Sequence, residues 1–269
     1  MKGTSRKIFL SVMLLVAMLS ASGQNGWQFI DSIPAKGDYI ISDELGFVYL
    51  INGNQVSRYD MYGNLTGTYC KLIDGPITCA DASDPLKILL FYNDYGRIKF
   101  LDKTMSAQGS DISLAPLGFQ SASLACLSYQ NAFWIYDPSS VQLVRFTNAL
   151  QQDQITGNIN QITGFEIHPN ALFEAGNTVY LKDTARGILM FDRYGAYLRC
   201  LPFLKVKWFT VKDDNLIFLT GNELHSYNMK SKEEAISMLP ITDIASVAYE
   251  NGMLFALKRG SLYIYSVKK

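Results

Sequence analysis

Short runs of apolar residues alternate with turn residues along the whole chain, and no segment beyond the N-terminus carries a convincing helical period. The beat is regular. Six times an aliphatic residue is followed three positions later by a large apolar one and then by a small polar one. The first three copies read Gln55-Val56-Ser57-Arg58-Tyr59-Asp60, Arg97-Ile98-Lys99-Phe100-Leu101-Asp102 and Gln142-Leu143-Val144-Arg145-Phe146-Thr147. The others read Gly187-Ile188-Leu189-Met190-Phe191-Asp192, Glu223-Leu224-His225-Ser226-Tyr227-Asn228 and Ser261-Leu262-Tyr263-Ile264-Tyr265-Ser266. Their closing polar residues are spaced by 42, 45, 45, 36 and 38 positions, a period that fits a four-stranded propeller blade.

Seven residues before each aliphatic anchor stand Tyr49, Phe91, Tyr136, Leu181, Ile217 and Phe255, all apolar and set in continuous apolar runs such as Ile88-Leu89-Leu90-Phe91-Tyr92. Such runs suit strands buried on both faces. Turn residues separate the paired runs at Asn52-Gly53-Asn54, Asp94-Tyr95-Gly96, Gly221-Asn222 and Arg259-Gly260. Two copies end on the same turn, Asp60-Met61-Tyr62-Gly63 and Asp192-Arg193-Tyr194-Gly195, with the Asp and Gly that a type I turn prefers.

The last copy stops at Lys269 one strand short, while Trp27 to Pro34 is a strand with no blade before it. That segment resembles the outer-strand segments Tyr69-Cys70-Lys71-Leu72-Ile73 and Tyr197 to Pro202. The economical arrangement lets the N-terminal strand complete the last blade, which removes an exposed edge. The expectation is therefore an all-β, six-bladed propeller spanning residues 24–269. A β-sandwich is the alternative, in which six matching strand pairs would be an accident. Residues 229–235 allow one helical turn and no more.

Asn148 to Asn170 breaks the beat. Part of it must be the outer strand of the third blade, and the remainder reads as a long polar loop on one rim, where recognition is often placed. Gln154, Asn158, Asn160 and Gln161 are its candidate hydrogen-bonding groups, and Ile155, Ile159 and Ile162 its candidate apolar anchors. Asp153 reads as a loop residue of no consequence for stability, and replacing residues 151–162 by a flexible linker is expected to leave the fold intact.

Ahead of the repeat, Lys2, Arg6 and Lys7 precede the apolar stretch Ile8 to Leu19 and the small residues Ala21-Ser22-Gly23. This is the plan of a secretory signal peptide covering residues 1–23, with Gln24 the first mature residue. The apolar stretch is shorter than the roughly 20 residues of a membrane span. The chain carries 24 basic and 24 acidic side chains; losing three basic ones leaves 21 against 24, a net charge of about −3. With no basic stripe and no basic amphipathic helix, neither nucleic acid nor a membrane surface is an expected partner. Cys70, Cys79, Cys126 and Cys200 are scattered singly, so buried free thiols are expected, with Cys70–Cys79 the first pair to test as a disulfide.

Little of the sequence suggests catalysis. Neither His168 nor His225 has partners at metal-ligand spacing, and there is no phosphate loop or nucleophile motif. No catalytic residue, metal or cofactor is assigned. The acids expected on innermost strands are Asp43, Asp81, Asp84, Glu174, Asp213, Asp214 and Glu250. Beside Gly, Asn or Pro they read as solvated turn carboxylates; a calcium-dependent, lactonase-like hydrolase would need them as an inward ring.

The segments Ser83 to Tyr92, Phe133-Trp134-Ile135-Tyr136-Asp137-Pro138 and Gly157-Asn158-Ile159-Asn160-Gln161 resemble a group of exported propeller-like proteins from Bacteroidota. Within that group the functional association is the plug subunit of the type IX secretion translocon, and the resemblance covers the chain from about Trp27 onward. It implies a periplasmic protein, peripheral to the outer membrane, that closes the inner mouth of an outer-membrane channel. The expectation is a non-enzymatic platform for a protein partner, with a hydrolase or a glycan or small-ligand module as alternatives.

Overall fold

The computed structural model describes residues 26–268, so the expected signal segment and Gln24 lie outside the described residues. The chain enters through β1 (Trp27–Pro34). The first blade is β2 (Tyr39–Ser42), β3 (Val48–Asn52), β4 (Gln55–Tyr59) and β5 (Leu65–Cys70). The second is β6 (Cys79–Asp81), β7 (Lys87–Tyr92), β8 (Arg97–Asp102) and β9 (Ala107–Ser113). The third is β10 (Leu124–Ser128), β11 (Ala132–Asp137), β12 (Gln142–Phe146) and β13 (Gln152–Ile155). A short helix, α1 (Ile159–Thr163), leads to the fourth, β14 (Pro169–Ala175), β15 (Thr178–Asp183), β16 (Gly187–Asp192) and β17 (Tyr197–Leu201). The fifth is β18 (Val206–Lys212), β19 (Asn215–Thr220), β20 (Glu223–Asn228) and β21 (Glu234–Met238). The sixth is β22 (Ser246–Glu250), β23 (Met253–Lys258) and β24 (Ser261–Val267), with β1 hydrogen-bonded to β24 as its outer strand.

These six antiparallel four-stranded sheets form a ring, with innermost strands meeting between neighbouring blades and β2 against β22 at the closure. The molecule is a six-bladed β-propeller, and its N- and C-terminal strands share one sheet as the sequence suggested.

Period-two alternation explains why the second strands read as unbroken apolar runs. On β7, Leu89 and Phe91 enter the core against the third blade, while Ile88, Leu90 and Tyr92 enter the core against the first. On β15, Val179 and Leu181 face one neighbour and Tyr180 the other. Both faces of such a strand are buried, so both are apolar except at the strand ends, where Lys87, Lys182 and Asp183 stand. The hydrophobic core is thus a set of inter-blade layers.

Both Asp-x-Tyr-Gly turns form as expected. Asp60 Oδ1 accepts from the amides of Tyr62 and Asn64, and Asp192 Oδ1 from those of Tyr194 and Ala196. Each closing glycine adopts φ 88°, which favours glycine at Gly63 and Gly195.

Hairpin geometry gives the ring two unlike faces. The linker face carries the connections between blades and the turns between second and third strands. The hairpin face carries the turns between first and second and between third and fourth strands.

Three local expectations are corrected. Residues 229–235 hold no helix: a turn leads into β21, and the short helix lies instead at 159–163. The outer strand of the first blade stops at Cys70, and Leu72–Asp74 forms a 3-10 turn. All four cysteines are free thiols as expected, and Cys70 and Cys79 stand in different sheets, the first ending an outer strand and the second beginning an innermost one. What is corrected is their burial: Cys126 is buried, but Cys70 is exposed and Cys79 and Cys200 are half-buried.

Candidate functional site

The predicted rim segment is more deeply built into the fold than its composition implies. Gln152–Ile155 is the outer strand β13, with Gln154 opposite Arg145. Asn158 caps α1: its Oδ1 accepts from Gln161 N at 3.1 Å, and its Nδ2 donates to Ser140 O at 2.9 Å. Asn160 Oδ1 accepts from Ile167 N at 3.0 Å. Ile159 is fully buried against Leu143, Val179 and Phe191, so it is a core residue and not an exposed anchor. Both polar atoms of Asn158 and the Oδ1 of Asn160 hold the segment together and are not free for a partner. Ile155, Gln161 and Ile162 remain exposed, with Gln154 half-buried.

Asp153 is also corrected. Its Oδ2 lies 2.5 Å from Nη1 of Arg145, a guanidinium only 1% exposed. The same guanidinium donates from Nε to Ser128 Oγ at 2.8 Å and from Nη2 to Tyr129 O at 2.7 Å. Arg145 then lies 3.9 Å from the centre of the Tyr129 ring, and Arg193 of the fourth blade 3.7 Å from it. Tyr129 is a joint between the third and fourth blades.

The inner-strand acids are not all solvated turn residues. Asp43, Asp81, Glu174 and Glu250 are buried. Burial raises the pKa of both Asp43 and Asp81. Asp81 accepts from Ser83 N and, across the blade boundary, from Leu127 N, each at 2.8 Å. Glu174 accepts from Trp134 Nε1 at 2.7 Å and Tyr129 N at 3.3 Å, joining the fourth blade to the third. Glu250 pairs with Lys212 of the fifth blade at 2.6 Å. Asp43 serves its own blade, accepting from Tyr49 Oη and two backbone amides. Three of these acids latch neighbouring blades together; Asp84, Asp213 and Asp214 are the turn residues the sequence suggested. Among the described residues, no group of three His, Cys, Asp or Glu converges to hold a metal ion.

These latches surround the mouth of the central channel on the hairpin face, a cavity of 610 Å³ lined by Tyr129, Phe173 and Trp208 as well as Asp81, Glu174 and Glu250. His225 stands apart on the fifth blade, stacked on Phe218 at 4.7 Å with its Nδ1 2.7 Å from Glu234 Oε1. His168 is exposed beside Glu166.

A second surface feature had no sequence signal. On the linker face the 3-10 turn Leu72–Asp74 points Leu72 and Ile73 into solvent, 85% and 78% exposed, while Asp74 turns inward. Asp74 Oδ2 meets Lys99 Nζ at 2.6 Å and the Tyr69 hydroxyl at 3.2 Å, and Oδ1 faces Arg97 at 3.4 Å. Asp111 completes the cluster, 3.0 Å from Lys99. Burial pushes the Asp74 carboxyl up, but the Lys99 hydrogen bond and charge, with Lys71 and Tyr69, outweigh it and hold the pKa below the usual range. The turn is therefore pinned from beneath while its apolar residues face water.

No protein-family model matches the chain, and no curated protein sequence matches it. Among solved structures, a streptogramin B lyase is 16% identical with a TM-score of 0.59, over 90% of this chain and 87% of that one. The WD40 domain of Neurospora crassa Pan2 is 6% identical with a TM-score of 0.60, over 90% and 96%. A chain of a mitotic checkpoint complex is 10% identical with a TM-score of 0.63, over 93% and 97%. At these identities the likeness is one of fold, and the fold it supports is the propeller.

Proposed function

We propose that this chain is a non-enzymatic, exported protein-binding platform, seated on the periplasmic side of the outer membrane, where it closes the inner mouth of a protein-export channel. The observation that carries the reading is the Leu72–Ile73 turn. Two large aliphatic side chains are held in water by a turn whose own carboxylate is tied into a buried charge cluster. Exposed apolar groups on a rigid support are what a partner covers. Ile162 of α1 projects from the same linker face, and the likeness to WD40 propellers agrees with a scaffold role. A calcium-dependent hydrolase is less well supported, because Asp81 and Glu174 are engaged by N–H donors and Glu250 by an ammonium.

The test is affinity purification of the tagged chain from detergent-solubilised envelopes, followed by mass spectrometry. Leu72→Ser with Ile73→Ser is expected to abolish recovery of an outer-membrane channel protein without lowering the melting temperature. Recovery of that protein at wild-type yield by the double variant overturns the assignment of this face. Failure of the wild-type chain to recover any outer-membrane channel overturns the partner.

A further inference from the structure

Between the second and third blades lies a groove of 490 Å³ on the hairpin face, separate from the central mouth. It owes its shape to β9. Elsewhere, outer-strand irregularities insert a single residue, but here three residues, Gly109, Ser110 and Asp111, stand opposite Lys99 alone, between the pairs Ile98–Ile112 and Phe100–Gln108. Asp111 turns to Lys99 and Arg97, leaving Gly109 and Ser110 along the groove. Bulges of this kind re-aim side chains beside binding sites.

At the floor is Lys87, at the start of β7, only 8% exposed and on the face of the strand that meets the third blade. Its ammonium sits 4.0 Å from the centre of the Phe100 ring and donates to Asn131 O at 3.0 Å. No carboxylate lies within 4 Å of it among the described residues. Its cross-strand neighbour Asp102 is spent on its own turn, accepting from Thr104 and Ser106. Among the three other buried lysines and arginines of the described residues, Lys99 has Asp74 and Asp111 and Arg145 has Asp153, whereas Lys182 has no carboxylate and donates to two carbonyls, Val206 O and Lys207 O, which hold it at the fifth blade. Burial lowers the pKa of Lys87, with only Asp84 opposing, as expected for a cation lacking its counter-ion.

Lys87 also borders the central mouth, but that side carries Glu44, Asp81, Asp84, Glu174 and Glu250. An anion is repelled there. The groove side has no acid in its lining and offers the amides of Gln108, Asn131 and Asn148 and the hydroxyl of Ser110. One uncompensated ammonium surrounded by amides and a hydroxyl is the recognition set for a carboxylate on a hydroxylated frame.

We propose that the groove between the second and third blades binds a small hydroxylated carboxylate of sugar-acid size, whose carboxylate pairs with Lys87 and whose hydroxyls meet Gln108, Ser110 and Asn148. This site is independent of the linker-face contact.

Isothermal titration of the full mature chain with galacturonate, glucuronate and gluconate tests the proposal, with galactose as the uncharged control. Saturable binding is expected for at least one acid and none for galactose. Lys87→Met, which replaces a buried ammonium by a similar apolar stem, is expected to weaken that binding at least about tenfold, the loss of one charged hydrogen-bonded partner. Asn148→Ala, in an exposed turn, is expected to weaken it about threefold at an unchanged melting temperature. No saturable binding by any of the three acids overturns the proposal. So does equal binding of galactose, or wild-type affinity in a folded Lys87→Met protein. If Lys87→Met fails to fold, undiminished binding by the folded Asn148→Ala protein overturns it instead.

Discussion

The guanidinium of Arg145 and the carboxylate of Asp153 meet at 2.5 Å, one group sealed inside the third blade and the other on its outer strand. Asp153 is the only carboxylate paired with this buried cation among the described residues. Removing it strands a charge that also positions Ser128 and Tyr129. Asp153→Ala is expected to lower stability by about 1–3 kcal/mol, less than for a fully buried pair because Asp153 is partly solvated. Denaturant titration measures it; a change within about 0.5 kcal/mol, the usual range for surface sites, refutes this role.

The repeat anchors and the closing strand make a second comparison. Phe146 lies stacked on Phe133 at 5.4 Å and edge-on to Phe119, while Phe191 packs against Tyr197. Phe146→Ala and Phe191→Ala are each expected to cost about 3–5 kcal/mol. Deleting residues 24–35 removes the ladder to β24, the buried Trp27 and its bond to Ser237, and is expected to unfold the domain. A deletion protein with an unchanged melting temperature would contradict the closure.

Why was the fold so much more legible than the surface? Strand identity is written in a local period, and a propeller repeats that period six times, so each copy checks the others. Phe146 and Phe191 could be recognised as equivalent from spacing alone. Side chains used once have no such redundancy. Asp81, Glu174 and Glu250 sit beside turn residues in the sequence, and only their place on innermost strands, facing a neighbouring blade, makes them buried latches. Asp153 read as loop because its partner Arg145 lies across a hairpin whose register the sequence does not specify. Leu72 and Ile73 read as strand because apolar pairs usually are; Asp74, bound by Lys99 from the next blade, ends the strand and turns them outward.

The rim segment separates core from contact within four residues. Ile159→Ala is expected to cost about 2–4 kcal/mol, since it empties space among Leu143, Val179 and Phe191. Ile162→Ser, on the exposed side of the same short helix, is expected to change stability by less than about 0.5 kcal/mol. For the same reason, replacing residues 151–162 by a flexible linker is now expected to destabilise the domain, because it deletes β13 as well as Ile159. Thermal melts of the three variants decide. Equal melting temperatures for the Ile159 and Ile162 variants would mean that α1 does not pack as described.

The buried charge cluster beneath Leu72 and Ile73 predicts how the contact turn responds to acid. Because the folded pKa of Asp74 is depressed, its contribution to stability is fully present above the carboxyl's unfolded pKa, about 4. That contribution is lost as pH falls through the lower folded value. Lys99 does not change charge in this range, since its hydrogen bonds to Asp74, Tyr69 and Asp111 outweigh the lowering by burial and raise its pKa. Below that folded value, protonation of Asp74 leaves Lys99 and Arg97 with Asp111 as their remaining carboxylate partner in this cluster, and the 3-10 turn loses its anchor. Asp74→Asn makes the same change at neutral pH. It is expected to cost about 2–4 kcal/mol at pH 7 and to flatten the acid limb of the stability profile. Hydrogen exchange at Asp74 N and Gly75 N, which bond to Lys71 O and Leu72 O, reads the turn itself and should accelerate in the variant at neutral pH. A variant that keeps both wild-type exchange at these amides and the wild-type acid profile would show that the turn holds Leu72 and Ile73 outward without this carboxylate.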